Sequence, residues 1–171
     1  MLTQEQKAAL RAPFEPGQVS WRMQGKPNAQ GKGQVVAYVD ARDVMDRLDD
    51  VVGVENWSFD WTPIVTDDKG LLVAKGTLTI FGVSKSDVGD ASTFEGTKGT
   101  ISDALKRAAV MFGVARYLYD LPQVWVTLEN GRIPEATLKQ LQQRLAQRAQ
   151  AKTHNGHMEA LHGALAAHPA D

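Results

Sequence analysis

The sequence predicts an α+β fold, an antiparallel β-sheet of hairpin and meander type packed against a long helix. Three observations carry that expectation. Leu72, Ala74, Gly76, Leu78 and Ile80 alternate with Val73, Lys75, Thr77 and Thr79, the period of a half-buried strand. Trp57-Ser58-Phe59-Asp60-Trp61-Thr62 alternates aromatic and polar residues, and Asp67-Asp68-Lys69-Gly70 between the two runs is turn chemistry. After Gly89 the period changes: Ile101, Leu105, Ala108 and Phe112 recur at helical spacing, with Gly113 placed to cap the helix.

The elements follow in order. Residues 3–11 read as a short helix with Thr3 as N-cap and Gln6 three positions on, ended by Pro13 and Pro16-Gly17. Gln18–Met23 reads as a short strand, residues 25–33 as a polar loop, and Val35–Val39 as a β-branched and aromatic strand. Asp40 is placed to cap a helix whose Val44, Leu48, Val51 and Val52 share one face, up to Gly53. Val83–Gly89, joined at Gly82, is expected as a third strand of the meander. Beyond Gly113, Val114–Leu121 is a compact segment closed by Pro122, Val124–Leu128 a short strand, and Asn130-Gly131 a turn. Pro134 at a first helical position opens a last helix to about Ala151, and residues 152–171 are expected to be weakly structured. This divides the chain into a domain over 1–133 and a C-terminal helix and tail over 134–171.

Composition narrows the function classes. The 171 residues, 43 % hydrophobic with 15 Gly and 7 Pro, suit one folded domain and neither a disordered nor a fibrous chain. Zero cysteines leave no disulfide, thiolate metal site or Cys nucleophile. Without an apolar run of membrane length or a signal-type start, the expectation is a soluble cytoplasmic protein with no membrane partner. Asn56-Trp57-Ser58 is then a coincidental glycosylation triplet. With 19 Lys plus Arg against 20 Asp plus Glu, net charge is −1. A polyanion could be bound only by gathering cations on one face.

Enzyme motifs fail on inspection. Gly25 to Gly31-Lys32 has one residue too many for a phosphate loop, and Gly33 stands where Ser or Thr is needed. Asp67-Asp68-Lys69 contains an acid-x-Lys triplet of nuclease type, but in a turn, where solvated charge is the commoner explanation. His154, His157, His162 and His168 have irregular spacing and belong to no metalloprotease motif. No catalytic residue, metal or cofactor is expected.

Basic residues are more informative. Lys106 and Arg107 lie off the apolar stripe, with Lys98 two turns earlier near its edge. The ordinary explanation is a surface ion pair with Asp103, at i−4 from Arg107 and i−3 from Lys106. Arg22 follows Trp21 on a short strand, and Lys26 and Lys32 sit in the adjacent loop, where solvated charge is again the ordinary explanation. Binding of a polyanion requires these clusters to meet in space. The alternating Trp57, Phe59 and Trp61 are expected in the core rather than stacked on bases.

Ser102-Asp103-Ala104-Leu105-Lys106-Arg107-Ala108-Ala109-Val110-Met111-Phe112-Gly113 shifts that balance. It resembles the signature helix of the Rad fifty-two type single-strand annealing family, in which an Asp precedes a Leu-Lys-Arg triplet and a Phe-Gly closes the helix. Val19-Ser20-Trp21-Arg22-Met23, then a Gly-rich loop, then Val36-Ala37-Tyr38-Val39-Asp40 are similar to that family's first hairpin and next helix start. Asn56-Trp57, Asp87-Val88-Gly89 and Arg116-Tyr117-Leu118-Tyr119-Asp120-Leu121-Pro122 fall in its order, the last most like its small bacterial DNA-damage-response branch. The resemblance covers roughly residues 5–125, and the combined order is specific although each short motif alone is weak.

That resemblance implies a ring-forming homo-oligomer that binds single-stranded DNA along a basic groove, protects DNA ends and promotes annealing in repair, near the nucleoid. The family's groove cations map onto Arg22, Lys106 and Arg107, with Tyr38 and Lys98 as flanking matches; Lys26 and Lys32 are added from the neighbouring loop. Two departures stand out. Val110 replaces a further basic residue one turn after the Lys-Arg pair, and the segment from Gly89 to Asp103 is short, so an outer DNA site is not carried over. A ring would repeat a few cations into a continuous groove, and annealing breaks no covalent bond, so ATP is not required. The competing expectations are a structural or protein-interaction oligomer of the same fold, kept open by Asp46, Asp49, Asp50, Asp67 and Asp68, and a metal-dependent nuclease, for which no acidic strand cluster can be placed. Repair-protein partners are not specified.

Overall fold

Thr3 begins the first helix, α1 (Gln4–Arg11), through the reciprocal cap its sequence promises. Its hydroxyl accepts from the Gln6 N–H at 3.1 Å, and Gln6 Oε1 accepts from the Thr3 N–H at 3.0 Å. The computed structural model describes residues 1–66, 72–91 and 96–148. By its internal contacts the chain forms two compact units, Met1–Phe14 with Ala37–Gln123, and Glu15–Val36 with Val124–Asp171. The expected Asp67–Gly70 turn and the 152–171 tail with its four histidines lie outside the described residues. Among those described, no helix is long and apolar enough to cross a membrane.

In the first unit, α2 (Ala41–Val52) buries Val44, Leu48 and Val52 and stops at Gly53, whose φ of 85° is a conformation that suits glycine. Asp40 holds the N-cap position with extended backbone, but its side chain makes no capping bond. Arg47 of α2 latches the end of α1. Its Nη1 donates to the carbonyls of Ala9 at 3.1 Å and Ala12 at 2.8 Å, and the guanidinium lies 4.1 Å from the Phe14 ring centre.

β3 (Trp57–Thr66), β4 (Leu72–Ile80) and β5 (Val83–Gly89) form the antiparallel meander, in the order β3-β4-β5. Phe81 (φ 47°) and Gly82 (φ 77°) make the tight two-residue connection between β4 and β5. Ala74, Gly76, Leu78 and Ile80 are buried, as their alternation requires. Against this face packs α3 (Gly96–Phe112), which contacts β4 and β5.

Two expectations need correction here. The buried line of α3 is Thr100, Ala104, Leu105, Ala108 and Ala109, whereas Ile101 and Phe112 are only half-buried. Glycines in the sheet are the reason. A Cβ on Gly76 would lie 2.8 Å from the Ala104 Cβ and from ring carbons of Phe59, and one on Gly89 would lie 2.8 Å from the Ala104 nitrogen and run into the Thr100 carbonyl. The helix therefore rests on its small residues and Leu105 rather than on Ile101 and Phe112. Thr100, wholly buried, satisfies its hydroxyl by donating to the Leu72 carbonyl at 3.1 Å.

The second correction concerns the aromatic run. Trp57 and Phe59 are half-buried, Trp61 is 42 % exposed, and every residue from 60 to 66 is exposed. Among the described residues β3 is an edge strand that outruns its cover, so alternation identified the side on which the aromatics lie without ensuring that anything covers it. Trp57 Nε1 donates to Asp49 Oδ1 at 2.7 Å.

The second unit holds most of a separate sheet, whose residues 37–39 belong to the first unit, so the described residues form two sheets rather than one. β1 (Val19–Gln24), β2 (Lys32–Val39) and β6 (Val124–Thr127) are ordered β1-β2-β6, with Lys32↔Thr127 through Val35↔Val124 antiparallel. Lys32 is thus a strand residue, not a loop residue. Asn28 shortens the loop, its side-chain oxygen accepting from the Gln30 and Lys32 N–H groups at 3.0 and 2.9 Å. Val35, Val126 and Leu141 form the core, with Trp21, Val124, Leu128 and Ile133 against it. Asn130 and Gly131, both at positive φ, make the predicted turn between the bridged Glu129 and Arg132. A final helix over 135–148 follows; the Leu138 N–H donates to the Pro134 carbonyl at 3.0 Å, which makes Pro134 the cap rather than the first helical residue. Gln142 on this helix donates to the Val19 carbonyl at 3.0 Å.

Candidate nucleic-acid interface

Because α3 seats Ala104, Leu105, Ala108 and Ala109 inward, Lys106 and Arg107 are carried on its flank, each partly exposed. Lys106 Nζ lies 5.5 Å from the centre of the Tyr38 ring, whose strand β2 brings it to the same flank. A lysine over an aromatic face gains a fixed surface for its stem to lie on. These two predicted residues are therefore together. Lys98 is exposed on the first turn of the same helix.

Arg107 departs from its expected partner. Its Nη2 donates to Asp87 Oδ1 on β5 at 3.3 Å, rather than to Asp103, and the two side chains remain 41 % and 34 % exposed. Burial alone would disfavour the charged guanidinium. The Asp87 charge and hydrogen bond, and then Asp103 and Tyr119, outweigh that and hold its pKa above the ordinary arginine value. Asp87 is itself fixed, since its Oδ1 accepts from the Val88 N–H at 2.7 Å. The result is a permanent cation on a braced arm, held against a carboxylate and still reachable from solvent.

Arg22 on β1, Lys26 in the following loop and Lys32 at the start of β2 are all exposed within the second unit. They lie on or beside the two neighbouring strands β1 and β2.

Sequence reasoning missed two arrangements. Lys85 Nζ donates to the Met111 carbonyl at 2.8 Å and lies 4.8 Å from the Phe112 ring centre, while Arg116 donates to the carbonyls of Val110 and Met111. Both cations cap the C-terminal end of α3, where carbonyl dipoles attract positive charge. The other omission is Asp87. It pairs with Gly76 across the sheet, two positions before Gly89, so it stands on the face where α3 comes closest. The glycines were the signal available for that proximity. Among the described residues no group of three His, Asp or Glu could hold a metal ion.

Guanidinium and ammonium groups held at a surface are the donors that phosphate recognition uses. A model of the Rad52/22 family double-strand break repair proteins matches residues 3–136. The single-stranded DNA-binding protein DdrA of Deinococcus deserti is 42 % identical over 127 residues, covering 72 % of this chain and 61 % of that protein. Its namesake from Deinococcus radiodurans is 40 % identical over 125 residues, covering 72 % and 59 %. The chain thus spans about three fifths of the length of these relatives. With the matched segment running from α1 through both sheets to the start of the last helix, the chain belongs to the Rad52/22 family of double-strand break repair proteins, as a DdrA-like member.

Proposed function

We propose that the protein binds single-stranded DNA, protects DNA ends and anneals complementary strands in repair, without ATP, through a basic groove repeated around a ring-shaped homo-oligomer. The observation that carries this reading is the adjacent pair on α3: Lys106 laid over Tyr38, and Arg107 braced by β5. Lys98 extends the cationic flank, and Arg22, Lys26 and Lys32 are further DNA contacts in this reading. Residues 1–133 supply binding and oligomerisation, and residues 134–171 are a C-terminal helix and tail. Two relatives whose names describe single-stranded DNA binding favour this reading. Contacts to phosphate carry no sequence information, so binding is expected to be nearly independent of sequence. Holding the backbone leaves bases free to find their complements.

The test is a fluorescence-anisotropy titration of a labelled oligonucleotide over a salt series. Lys106→Ala with Arg107→Ala should weaken binding and flatten log K against log salt by roughly 0.7 for each lost contact. Unchanged affinity in the folded double variant removes the pair from the site, and a monomeric mass by light scattering removes the ring. One observation favours a second reading, an interaction oligomer without annealing activity: Trp61, Ile64 and Val65 are 42 %, 55 % and 54 % exposed on β3. DNA binding that falls steeply with salt decides for the first.

A further inference from the structure

The ion pair on the flank of α3 is half made. An arginine that shares its fork with a carboxylate normally uses two parallel N–H donors. Here Asp87 Oδ1 takes Nη2 at 3.3 Å, a long contact, while Arg107 Nε is buried with no hydrogen-bond partner. The carboxylate is held in place independently of the arginine, through the Val88 N–H at 2.7 Å. It therefore stays beside the guanidinium whether or not another anion arrives. At 41 % exposure the arginine remains open to such an anion.

We propose that Asp87 is a positioning residue that acts as a built-in competitor of phosphate: it holds Arg107 against β5 in the unbound protein and yields Nη2 to a DNA phosphate on binding. This rests on the reading of Arg107 as a phosphate contact. The carboxylate lowers the affinity of the site and makes each capture reversible, a useful property where a strand must be released once it has annealed. Binding at Arg107 exchanges one anion for another, so fewer counterions are displaced than at a bare arginine. Asp103 also lies within electrostatic range of Arg107, but it makes no ion pair with it.

The experiment compares wild type, Asp87→Asn, Asp103→Asn, Arg107→Ala and the Asp87→Asn/Arg107→Ala double variant, using labelled oligo-dT over a salt series. Asn keeps an oxygen for the Val88 N–H and removes only the charge. We expect Asp87→Asn to tighten binding about two- to fivefold, the range of an exposed ion pair, and to steepen the salt dependence. Asp103→Asn should tighten it less, and the Asp87 effect should vanish in the Arg107→Ala background. Asp87→Ser, a second neutral variant able to accept from Val88, should behave like Asn. Weaker or unchanged binding by both folded neutral variants, or tightening that persists without Arg107, overturns the proposal. If Arg107→Ala alone leaves binding intact, the reading of Arg107 as a phosphate contact fails instead, and the competitor role with it.

Discussion

Gly76→Ala and Gly89→Ala test whether α3 is held in place by the absence of two side chains. A Cβ at Gly76 would lie 2.8 Å from the Ala104 Cβ and from the Phe59 ring carbons. Carbon atoms rest comfortably at about 3.5–4.0 Å, so a gap of about 1 Å must open there. Overpacking of that order costs about 1–3 kcal/mol, slightly offset by the lower unfolded-state entropy of alanine. Gly89→Ala should be worse, because its nearest neighbours are the Thr100 carbonyl and the Ala104 nitrogen, and helix backbone cannot rotate aside. We expect about 2 kcal/mol for Gly76→Ala and about 3 kcal/mol for Gly89→Ala, a Tm fall of roughly 6–12 °C for the latter. Ala104→Gly supplies the internal control. By itself it costs about 1 kcal/mol in helix propensity. It should recover part of the Gly76→Ala loss, where the opposing atom is the Ala104 methyl, and little of the Gly89→Ala loss. Thermal and urea unfolding followed by circular dichroism measure all five variants. A Gly89→Ala protein melting within about 2 °C of wild type would refute the close-seating argument.

Two further outcomes follow from the N-terminal latch. Arg47→Met removes the donors that serve the Ala9 and Ala12 carbonyls, and should cost about 2–4 kcal/mol in urea unfolding, with increased protease cleavage near residue 12; unchanged stability would show that water replaces the guanidinium freely. Tyr117 gives a pH dependence: burial raises its pKa above the ordinary 10.0, against the opposing pull of the Phe14 N–H and Arg47. The unfolded chain therefore loses that proton first, so this contribution to stability is complete below pH 10 and declines as pH rises beyond it. Tyr117→Phe should remove that alkaline decline, read as unfolding free energy against pH.

Local elements were legible wherever one residue type has one physical use. The reciprocal cap of Thr3 and Gln6, the stop at Gly53, the alternation in β4 and the Asn130-Gly131 turn were all readable, because each depends on neighbours within a few positions. What depended on distant chain was not. Asp103 was the natural partner for Arg107 by helical spacing, yet Asp87 takes that place, since the sheet approaches the helix more closely than its own turn neighbour can reach. The same reason rotated the buried line of α3 away from Ile101 and Phe112. Trp61 illustrates the reverse limit: its pattern suited a core, but among the described residues no element extends far enough along β3 to cover it. For the site, Lys106 and Arg107 were legible as outward cations; the aromatic support of Lys106 by Tyr38 came from a strand nearly seventy positions earlier.

The pairing of β2 with β6 bears on how the chain is made. Lys32 meets Thr127, so the β1-β2-β6 sheet cannot be completed until almost the whole described chain has left the ribosome. The β3-β4-β5 meander and α3 need only the intervening stretch, and their connections are short. Local contacts close sooner than remote ones, which makes this inner block the natural first structure on the nascent polypeptide. During that interval the early strands β1 and β2 wait without their final neighbour, at the stage when a chain is most open to chaperones or to misdirected association.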